Sequence, residues 1–159
     1  MVARAVILRM ANAQDAPAMA NMSRDLIEAG LAWRYSAPRV AALIADSETT
    51  ALVACDGAPL LGFAVMQFGD ERAHLSLLCV QQAQQRRGIA RRLLEWLLES
   101  ARVAGIGSVH LELRADNEAA LMFYRAQGFS ETILVPGYYE SRFAARRMVR
   151  VLRPPGPPP

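Results

Sequence analysis

Gln85-Arg-Arg-Gly-Ile-Ala90 is the stretch of sequence that decides the fold. It follows an apolar run at 75–80 and opens a long amphipathic segment at 88–104. This pattern predicts a strand, a turn and the start of a helix. Backbone N–H groups at such a turn bind anions together with the positive end of the helix dipole. Gly88 would let a phosphate approach the backbone, and the spacing matches neither a P-loop nor the G-x-G-x-x-G fingerprint.

Length and composition indicate one globular domain. The chain has 159 residues, 53% apolar and 21% charged, which is enough for a single hydrophobic core. We predict a domain over 1–152 and a disordered or polyproline-like tail over 153–159, because Pro154-Pro-Gly-Pro-Pro-Pro cannot join a sheet. No apolar run is long enough for a transmembrane helix, and residues 1–10 lack a signal-peptide core. A cytoplasmic location is therefore expected, with no membrane partner.

The charged residues and cysteines exclude several functions. The net charge is +3 and all 18 basic residues are arginine, which excludes a P-loop lysine and lysine self-acetylation. This balance is too mild to predict nucleic-acid binding. Cys55 and Cys79 are far apart and form no CxxC pair, so we expect buried, reduced thiols and no metal. A second basic cluster is interpreted as a solvated face. It consists of Arg146, Arg147, Arg150 and Arg153.

Hydrophobic periodicity predicts the element order β-α-α-β-β-β-α-β-α-β-β. The predicted strands cover 6–10, 50–56, 60–68, 74–80, 108–114, about 130–135 and 143–152. The predicted helices begin at Asn12 or Asp15, at Ala37, at Gly88, and at Asp116 or Asn117, and they end near 28, 45, 104 and 127. A strand–helix–strand unit around the turn implies a right-handed crossover with parallel pairing inside an otherwise antiparallel sheet. The fold class is therefore mixed α/β.

A second pattern follows the first at a fixed distance. Leu111-Glu112-Leu113-Arg114-Ala115-Asp116-Asn117 leads into Ala120, Tyr124 and Gly128-Phe129. With Q-x-x-G-x-A at 85–90, this pattern resembles the two halves of the GCN5-related N-acetyltransferase (GNAT) signature, and together they cover about 73–129. The resemblance implies the GNAT fold, a mixed, mostly antiparallel sheet of about seven strands with about four helices and a splayed cleft between the fourth and fifth strands. It also implies an acyltransferase that moves an acetyl group from acetyl-CoA to a primary amine by direct attack.

The same resemblance assigns the donor-binding residues. Backbone N–H groups of the fourth strand would bind the thioester carbonyl and pantetheine, the 85–90 turn with the following arginines would bind the pyrophosphate, and the later helix would form the second wall of the cleft. These candidates are Leu78, Cys79 and Val80, then Gln85, Arg86, Arg87, Gly88, Ile89, Ala90, Arg91 and Arg92, then Asn117, Ala120 and Tyr124.

Glu112 and Tyr124 are the catalytic candidates. The resemblance makes Glu112 the general base, directly or through water, and Tyr124 the general acid at the departing sulfur. Residue types alone leave other interpretations open: a solvated strand face or a Glu112–Arg114 pair, a helix N-cap for Asn117, and a core position for Tyr124. His74 and His110 are possible helpers. Cys79 as a nucleophile ranks low, because alternation places it on a core face.

Four aromatic residues are the candidates for acceptor binding. Pro136-Gly137-Tyr138-Tyr139, placed between the last two predicted strands, and Met148 resemble the ending of the bacterial enzymes that acetylate the N-terminal alanine of a ribosomal protein. This subgroup implies a protein or peptide N-terminal α-amine as acceptor. The predicted substrate-binding residues are Trp33, Tyr35, Tyr138 and Tyr139.

The sequence departs from the family pattern at several positions. Gln82 stands where Pro is usual, Gln84 where an aromatic residue is common and Ala90 where Gly is more usual, and the segment after Tyr139 is rich in arginine. A cationic peptide would prefer acidic walls, so acetylation of a small-molecule amine is the second hypothesis. A non-enzymatic module that binds acyl-CoA is the third.

Overall fold

The computed structural model describes residues 5–57 and 59–153, and within these ranges it contains seven strands and four α-helices. The strands are β1 (Ile7–Met10), β2 (Thr49–Cys55), β3 (Leu60–Phe68), β4 (Arg72–Val80), β5 (Ser108–Arg114), β6 (Ser130–Tyr139) and β7 (Phe143–Val151). The helices are α1 (Ala16–Met22), α2 (Ala37–Ala45), α3 (Ile89–Val103) and α4 (Glu118–Ala126). The predicted mixed α/β class is confirmed. The Pro-rich segment 154–159 lies outside the described residues, and the domain boundaries 1–152 stay a prediction.

The seven strands form one sheet in the order β1-β2-β3-β4-β5-β7-β6. β1 and β2, β2 and β3, β5 and β7, and β6 and β7 pair antiparallel. β4 and β5, which flank α3 in the chain, pair in parallel through Arg72–His74 and Ser108–His110. This pair is the crossover that the strand–helix–strand pattern predicted.

The chain forms two compact units. The first ends at Phe68 and also includes Leu75–Leu97. In its core, α1 and α2 pack apolar side chains against those of β2, β3 and β4. The buried members of this core are Ala16, Met19, Ala20, Met22, Val40, Ala51, Val53, Leu60, Phe63, Val65 and Leu77.

The second unit contains Gly69–His74 and the chain from Leu98 onward. β5 alternates as predicted: Val109, Leu111 and Leu113 are buried, while the residues between them are half-buried. Backbone hydrogen bonds hold the residue directly before β5. Gly107 N donates to Glu71 O (2.8 Å), and Leu152 N donates to Gly107 O (2.8 Å). Among the helices of the described ranges, none is long and apolar enough to cross a membrane.

The first predicted helix, from Asn12 or Asp15 to about Glu28, is divided into three parts. A 3-10 turn at Ala13–Asp15 precedes α1, and a π-helical turn at Ser23–Ile27 follows it. The start is a capping box, in which Gln14 N donates to Asn12 Oδ1 (2.9 Å) and Asn12 N donates to Asp15 Oδ2 (2.8 Å). The wide last turn is closed by Glu28 N, which donates to Ser23 O (2.7 Å). A continuous α-helix was therefore the wrong prediction here.

β6 is longer than its sequence predicts. It continues from Ser130 to Tyr139 rather than ending near Val135, and its register with β7 is irregular between Val135 and Tyr139. Gly137 supplies a left-handed residue (φ 65°) inside this irregular part. Placing Tyr138 and Tyr139 between the strands was thus wrong, since the reversal lies at Glu140 and Ser141 (φ 53° and 57°).

Gly62 provides a test of the β3–β4 packing. A Cβ at this position would lie 2.8 Å from the carbonyl oxygen of Cys79 and 3.0 Å from a methyl carbon of Val80. Because backbone cannot move away cheaply, we expect Gly62→Ala to lower the free energy of unfolding by about 1–3 kcal/mol, measured by urea unfolding. Gly107→Ala is the matched control, because its Cβ would meet only Glu71 O at an ordinary 3.5 Å. Equal stabilities of the two variants would contradict this packing.

Candidate active site

The 85–90 turn connects a short 3-10 turn, Gln82–Gln84, to α3. Arg86 (φ 68°) and Gly88 (φ 76°) both lie in the left-handed region, which costs little for glycine but is strained for arginine. The helix starts on Gly88, whose carbonyl accepts from Arg92 N (3.0 Å). A Cβ built on Gly88 meets nothing within 4 Å. The backbone at Gly88 is therefore open to a ligand, and the first N–H groups of α3, which a helix leaves without intrahelical acceptors, follow it directly.

The arginines around the turn divide into two groups. Residues 85–88 are exposed, and Arg87 donates to the Gln84 side chain (2.5 Å), so its guanidinium stays at the turn. One helical turn later, Arg91 faces Glu95 (3.6 Å) and Arg92 donates to Val6 O (3.1 Å). Arg92 is therefore held at the first strand, where it lines a shallow groove with Ile7 and Trp96. The expectation that it serves a phosphate finds no support in this geometry.

The end of β4 departs from simple alternation. Ala73, Leu75 and Leu77 are buried in turn, but the next buried residue is Val80, and Leu78 and Cys79 are both half-buried. An extra residue in a strand shifts the alternation of buried and half-buried residues in this way. It also changes the direction of the backbone N–H and C=O groups that follow it. Cys79 packs against the core of the first unit, and burial raises the pKa of its thiol. A thiolate nucleophile at Cys79 is disfavoured for this reason.

Glu112 lies at the centre of a charged cluster in the second unit. Its Oε2 accepts a hydrogen bond from His74 Nε2 at 2.5 Å, and its Oε1 lies 3.5 Å from Arg147 Nε. Strand pairing sets both contacts, because Arg147 is the antiparallel partner of Glu112 and His74 is in register with His110 two residues before it. The side chain of Glu112 is only 17% exposed. The Glu112–Arg114 pair that the sequence left open does not form, since Arg114 faces Asp116 (3.6 Å).

This cluster keeps Glu112 ionised. The hydrogen bond from His74 is the main cause that lowers the pKa of Glu112, and the charges of His74, Arg147 and His110 add to it, while partial burial opposes it. Burial, Arg72 and His74 lower the pKa of His110, whose Nε2 lies 2.8 Å from Ser108 Oγ. Glu112 therefore combines a fixed orientation with a negative charge at neutral pH. Both helper histidines lie beside it.

α4 carries the other predicted donor contacts. Asn117 is its N-cap, and the side-chain oxygen accepts from Ala120 N (3.1 Å). Tyr124 is half-buried, and its ring lies edge-on to Phe123 (5.2 Å) and Phe129 (5.6 Å). The interpretation of Asn117 as a helix N-cap is thus confirmed. Because its side-chain oxygen is used in the cap, only the side-chain NH2 group can donate a hydrogen bond to a ligand. The aromatic contacts fix the position of the Tyr124 ring.

Three of the four predicted acceptor-binding aromatics carry an arginine over the ring. In the first unit, Arg24 lies 5.4 Å from the Trp33 centroid and Arg39 lies 4.3 Å from that of Tyr35. In the second unit, Arg147 lies 5.8 Å from Tyr138, whose ring meets Tyr139 edge-on at 4.8 Å. Stacked guanidinium groups hold these rings in place.

Sequence reasoning missed Glu28 and misjudged the C-terminal arginines. Glu28 is a buried carboxylate that accepts from Ser23 Oγ and from two backbone N–H groups, a role with no motif to reveal it. The arginines are not a solvated face, because most of them donate to main-chain carbonyls that end other elements. Arg146 donates to Ala115 O (3.2 Å), Arg150 to Gln127 O (2.6 Å) and Arg153 to Gly105 O, while Arg147 faces Glu112.

The cysteines and the other metal-ligand side chains show no metal centre. Cys55 and Cys79 are free thiols. In the part of the chain that the structure describes, no group of three or more His, Cys, Asp or Glu side chains could hold a metal ion.

Comparison with known proteins identifies the family. The acetyltransferase (GNAT) domain model matches residues 22–151, and the chain therefore belongs to the GNAT family. A curated relative, the [ribosomal protein bS18]-alanine N-acetyltransferase of Salmonella typhimurium, is 36% identical over 80 residues, which are 50% of this chain and 54% of that protein. The chain thus spans about half the length of the curated relatives it matches. The predicted GNAT family is confirmed, and the relatives agree with the predicted resemblance to alanine N-acetyltransferases of ribosomal proteins.

Solved structures agree with this assignment. The ribosomal-protein-S18-alanine N-acetyltransferase of Escherichia coli superposes with a TM-score of 0.81 at 25% identity, covering 96% of this chain and 97% of that chain. Arabidopsis thaliana NAA60, solved in complex with acetyl-CoA, shares the fold with a TM-score of 0.82 at 17% identity, covering 93% and 99% of the two chains.

The Glu112 cluster gives a pH-dependent stability. Because the pKa of Glu112 is lower in the folded protein than its ordinary value, the ionised group stabilises the fold above a pH of about 4.3, the value for an unfolded glutamate, and this stabilisation is lost as pH falls through the folded pKa. We expect Glu112→Gln to lower the Tm at pH 7 and to have the same Tm as the wild type at strongly acidic pH.

Thermal unfolding followed across this pH range checks the prediction. Glu71→Gln, at an exposed position of the same unit, controls for the loss of one negative charge. A Tm difference between wild type and Glu112→Gln that stays constant with pH would contradict a depressed pKa at Glu112.

Proposed function

We propose that this protein is an N-acetyltransferase that moves an acetyl group from acetyl-CoA to an N-terminal α-amine of a peptide or protein. The single observation that carries the proposal is the ionised, oriented Glu112 on β5, held by His74 and Arg147. In the chain, β5 is followed by α4, which carries Tyr124. Membership of the GNAT family supports the reaction class. A cytoplasmic location stays a prediction from the sequence.

The residues of the 85–90 turn fit a pyrophosphate. The backbone at Gly88 is open to a ligand at the start of α3, and Arg86 and Arg87 bring two positive charges to the same exposed turn. Both features stabilise a doubly charged group in contact with the backbone. Ile89 is buried and anchors the helix start, while Ala90 keeps the adjoining position small. Arg91, although it faces Glu95, is close enough in sequence to add to the local charge.

Glu112 takes the proton of the attacking amine in the proposed mechanism. An α-amine has a pKa of about 8, so at neutral pH a weak but correctly placed carboxylate suffices, directly or through one water. The lowered pKa of Glu112 makes it a weak base that is ionised at neutral pH. Its bonds to His74 and Arg147 hold the carboxylate in one orientation, which offsets the low basicity.

The amine nitrogen attacks the thioester carbonyl directly, forming the N–C bond as the C–S bond breaks. Backbone N–H groups near Leu78, Cys79 and Val80 are proposed to stabilise the charge that develops on the carbonyl oxygen. Tyr124 is proposed to donate a hydrogen bond to the departing sulfur. A phenol with a pKa of about 10 and a thiol of about 8.5 make full proton transfer uphill, so the tyrosine acts chiefly by stabilising negative charge on sulfur.

The acceptor assignment rests on the subgroup. The relative named above acts on the N-terminal alanine of a ribosomal protein, and the aromatic residues Trp33, Tyr35, Tyr138 and Tyr139 are proposed to line the path of a peptide. The arginines stacked on three of these rings distinguish this chain from a site with acidic walls. A small-molecule amine is the second candidate, because direct attack on the donor requires only an unprotonated amine.

Gly88→Ala tests the donor site. The substitution adds a methyl group where the pyrophosphate is proposed to lie, so we expect the Kd for CoA to rise by about 10-fold or more, measured by calorimetry. Gly105→Ala is the matched control, since Gly105 also has a left-handed backbone (φ 80°) with nothing near its Cβ, but lies beyond the other end of α3. Equal Kd values for the two variants would remove the 85–90 turn from the donor site.

Glu112→Gln and Tyr124→Phe test the chemistry. We expect kcat/KM for the acceptor to fall by about 10²–10⁴-fold for Glu112→Gln and by about 10²-fold for Tyr124→Phe, which keeps the ring packing but loses the hydroxyl group. The Kd for acetyl-CoA should change by less than about twofold in both, because neither removes a pyrophosphate contact. Glu71→Gln should retain wild-type kinetics.

A panel of peptides and small amines, assayed by release of free CoA, separates the hypotheses. Turnover of peptides with free but not blocked N-termini supports the proposal. Turnover of small amines alone would replace the peptide acceptor by a small-molecule amine. Binding of acetyl-CoA without turnover of any amine would favour the non-enzymatic module.

A further inference from the structure

Glu28 is a buried carboxylate with an unusual set of partners. It is 6% exposed, and its Oε1 accepts from the backbone N–H groups of Arg34 (2.6 Å) and Tyr35 (3.2 Å). Its Oε2 accepts from Ser23 Oγ (2.8 Å), which is itself fully buried. All three donors are neutral. Burying a carboxylate on neutral donors is costly compared with an apolar side chain of the same size.

Glu28 holds a loop that has few hydrophobic contacts before its last residue. Within residues 29–35 no side chain is buried, Leu31 and Tyr35 are half-buried, and Tyr35 packs against the core of the first unit. Glu28 fixes both ends of this loop, because its carbonyl accepts from Leu31 N (2.9 Å) while its side chain accepts from Arg34 and Tyr35. The π-helical turn Ser23–Ile27 delivers Glu28 to this position, and π-turns are frequent at functional sites.

The ordered loop presents Trp33 to solvent. Its side chain is 44% exposed with Arg24 over the ring, whereas a loop of this kind gains no stability from an exposed indole. An ordered, exposed aromatic residue is useful for binding, since its conformational entropy is already lost before the ligand arrives.

We propose that Glu28 is a positioning residue for the amine acceptor: it holds the 29–35 loop so that Trp33 and Tyr35 bind the acceptor without further ordering. Glu28 touches neither substrate, and it acts through the two N–H groups that it accepts. The inference rests on the proposed function, which supplies the acceptor, and adds to it the residue that preorganises acceptor binding.

Glu28→Leu, assayed with acetyl-CoA and the best acceptor peptide, tests the inference. The leucine side chain has no oxygen to accept from Arg34 N and Tyr35 N, so the loop loosens, and the KM for the acceptor should rise by about 10-fold while kcat and the KM for acetyl-CoA stay within about twofold. Asp46→Asn is the matched control. Asp46 accepts from Glu48 N (3.0 Å) and Thr49 Oγ1 (3.1 Å) in a different turn of the same unit, and its variant should leave the acceptor KM unchanged.

A double-mutant cycle with Trp33→Ala distinguishes positioning from general stabilisation. If Glu28 acts through Trp33, adding Glu28→Leu to Trp33→Ala should raise the acceptor KM by less than about twofold. Full additivity of the two effects, or equal losses in kcat and in donor affinity, would overturn the inference. An unchanged acceptor KM in folded Glu28→Leu would do the same.

Hydrogen exchange keeps the inference testable if Glu28→Leu fails to fold. In the wild type, the amides of Arg34 and Tyr35 should already be protected without acceptor and gain little protection when acceptor is added. Amides that exchange freely until acceptor binds would overturn the preorganised loop. A wild type that turns over no amine at all would refute the proposed function and this inference with it, whereas turnover with an unmoved acceptor KM refutes the inference alone.

Discussion

The left-handed backbone at Arg86 and Gly88 is the constraint on which the rest of the account depends. It allows the chain to leave β4, pass through an exposed turn and begin α3 at Ile89, directly after the open backbone of Gly88. A helix that starts in this way has a positive end ready for an anion. Glycine meets the constraint without strain at position 88, while at position 86 an arginine adopts the same region at some cost. Local backbone strain of this kind is common at functional sites.

In the second unit, the proposed chemistry depends on the carboxylate of Glu112. Glu112 is held by His74 and by its cross-strand partner Arg147, and these contacts lower its pKa rather than raise it. As the proposed general base, Glu112 gains its effect from orientation more than from basicity, and such a base suits an α-amine better than a lysine side chain, whose pKa is about 10.4. Glu28 is proposed to act through orientation as well. Its hydrogen bonds hold the 29–35 loop in one position, as the contacts of Glu112 hold its own carboxylate.

The sequence predicted most of the fold because its strongest signals were local. Strict alternation located β5 at 108–114, and the bounds of α2 and β3 followed from apolar periodicity bounded by Pro, Gly and polar residues. The failures arose where tertiary contacts decided the outcome. Glu28 N bonding to Ser23 O widened the last turn of the first helix, and pairing with β7 carried β6 past Pro136 to Tyr139. The partners of Glu112 were also out of reach, because His74 and Arg147 are far from it in sequence and meet it only through strand pairing.

Acyl-CoA is proposed to bind through the backbone of the 85–90 turn. Amide chemical shifts recorded by NMR while CoA is added test this most directly, because each N–H reports on its own surroundings. We expect the largest shifts at the amides of residues 85–90 and of the first turn of α3, with saturation at one equivalent. Small shifts there, combined with large shifts among the arginines of β7, would show that the phosphates bind elsewhere and that the turn is not the donor site.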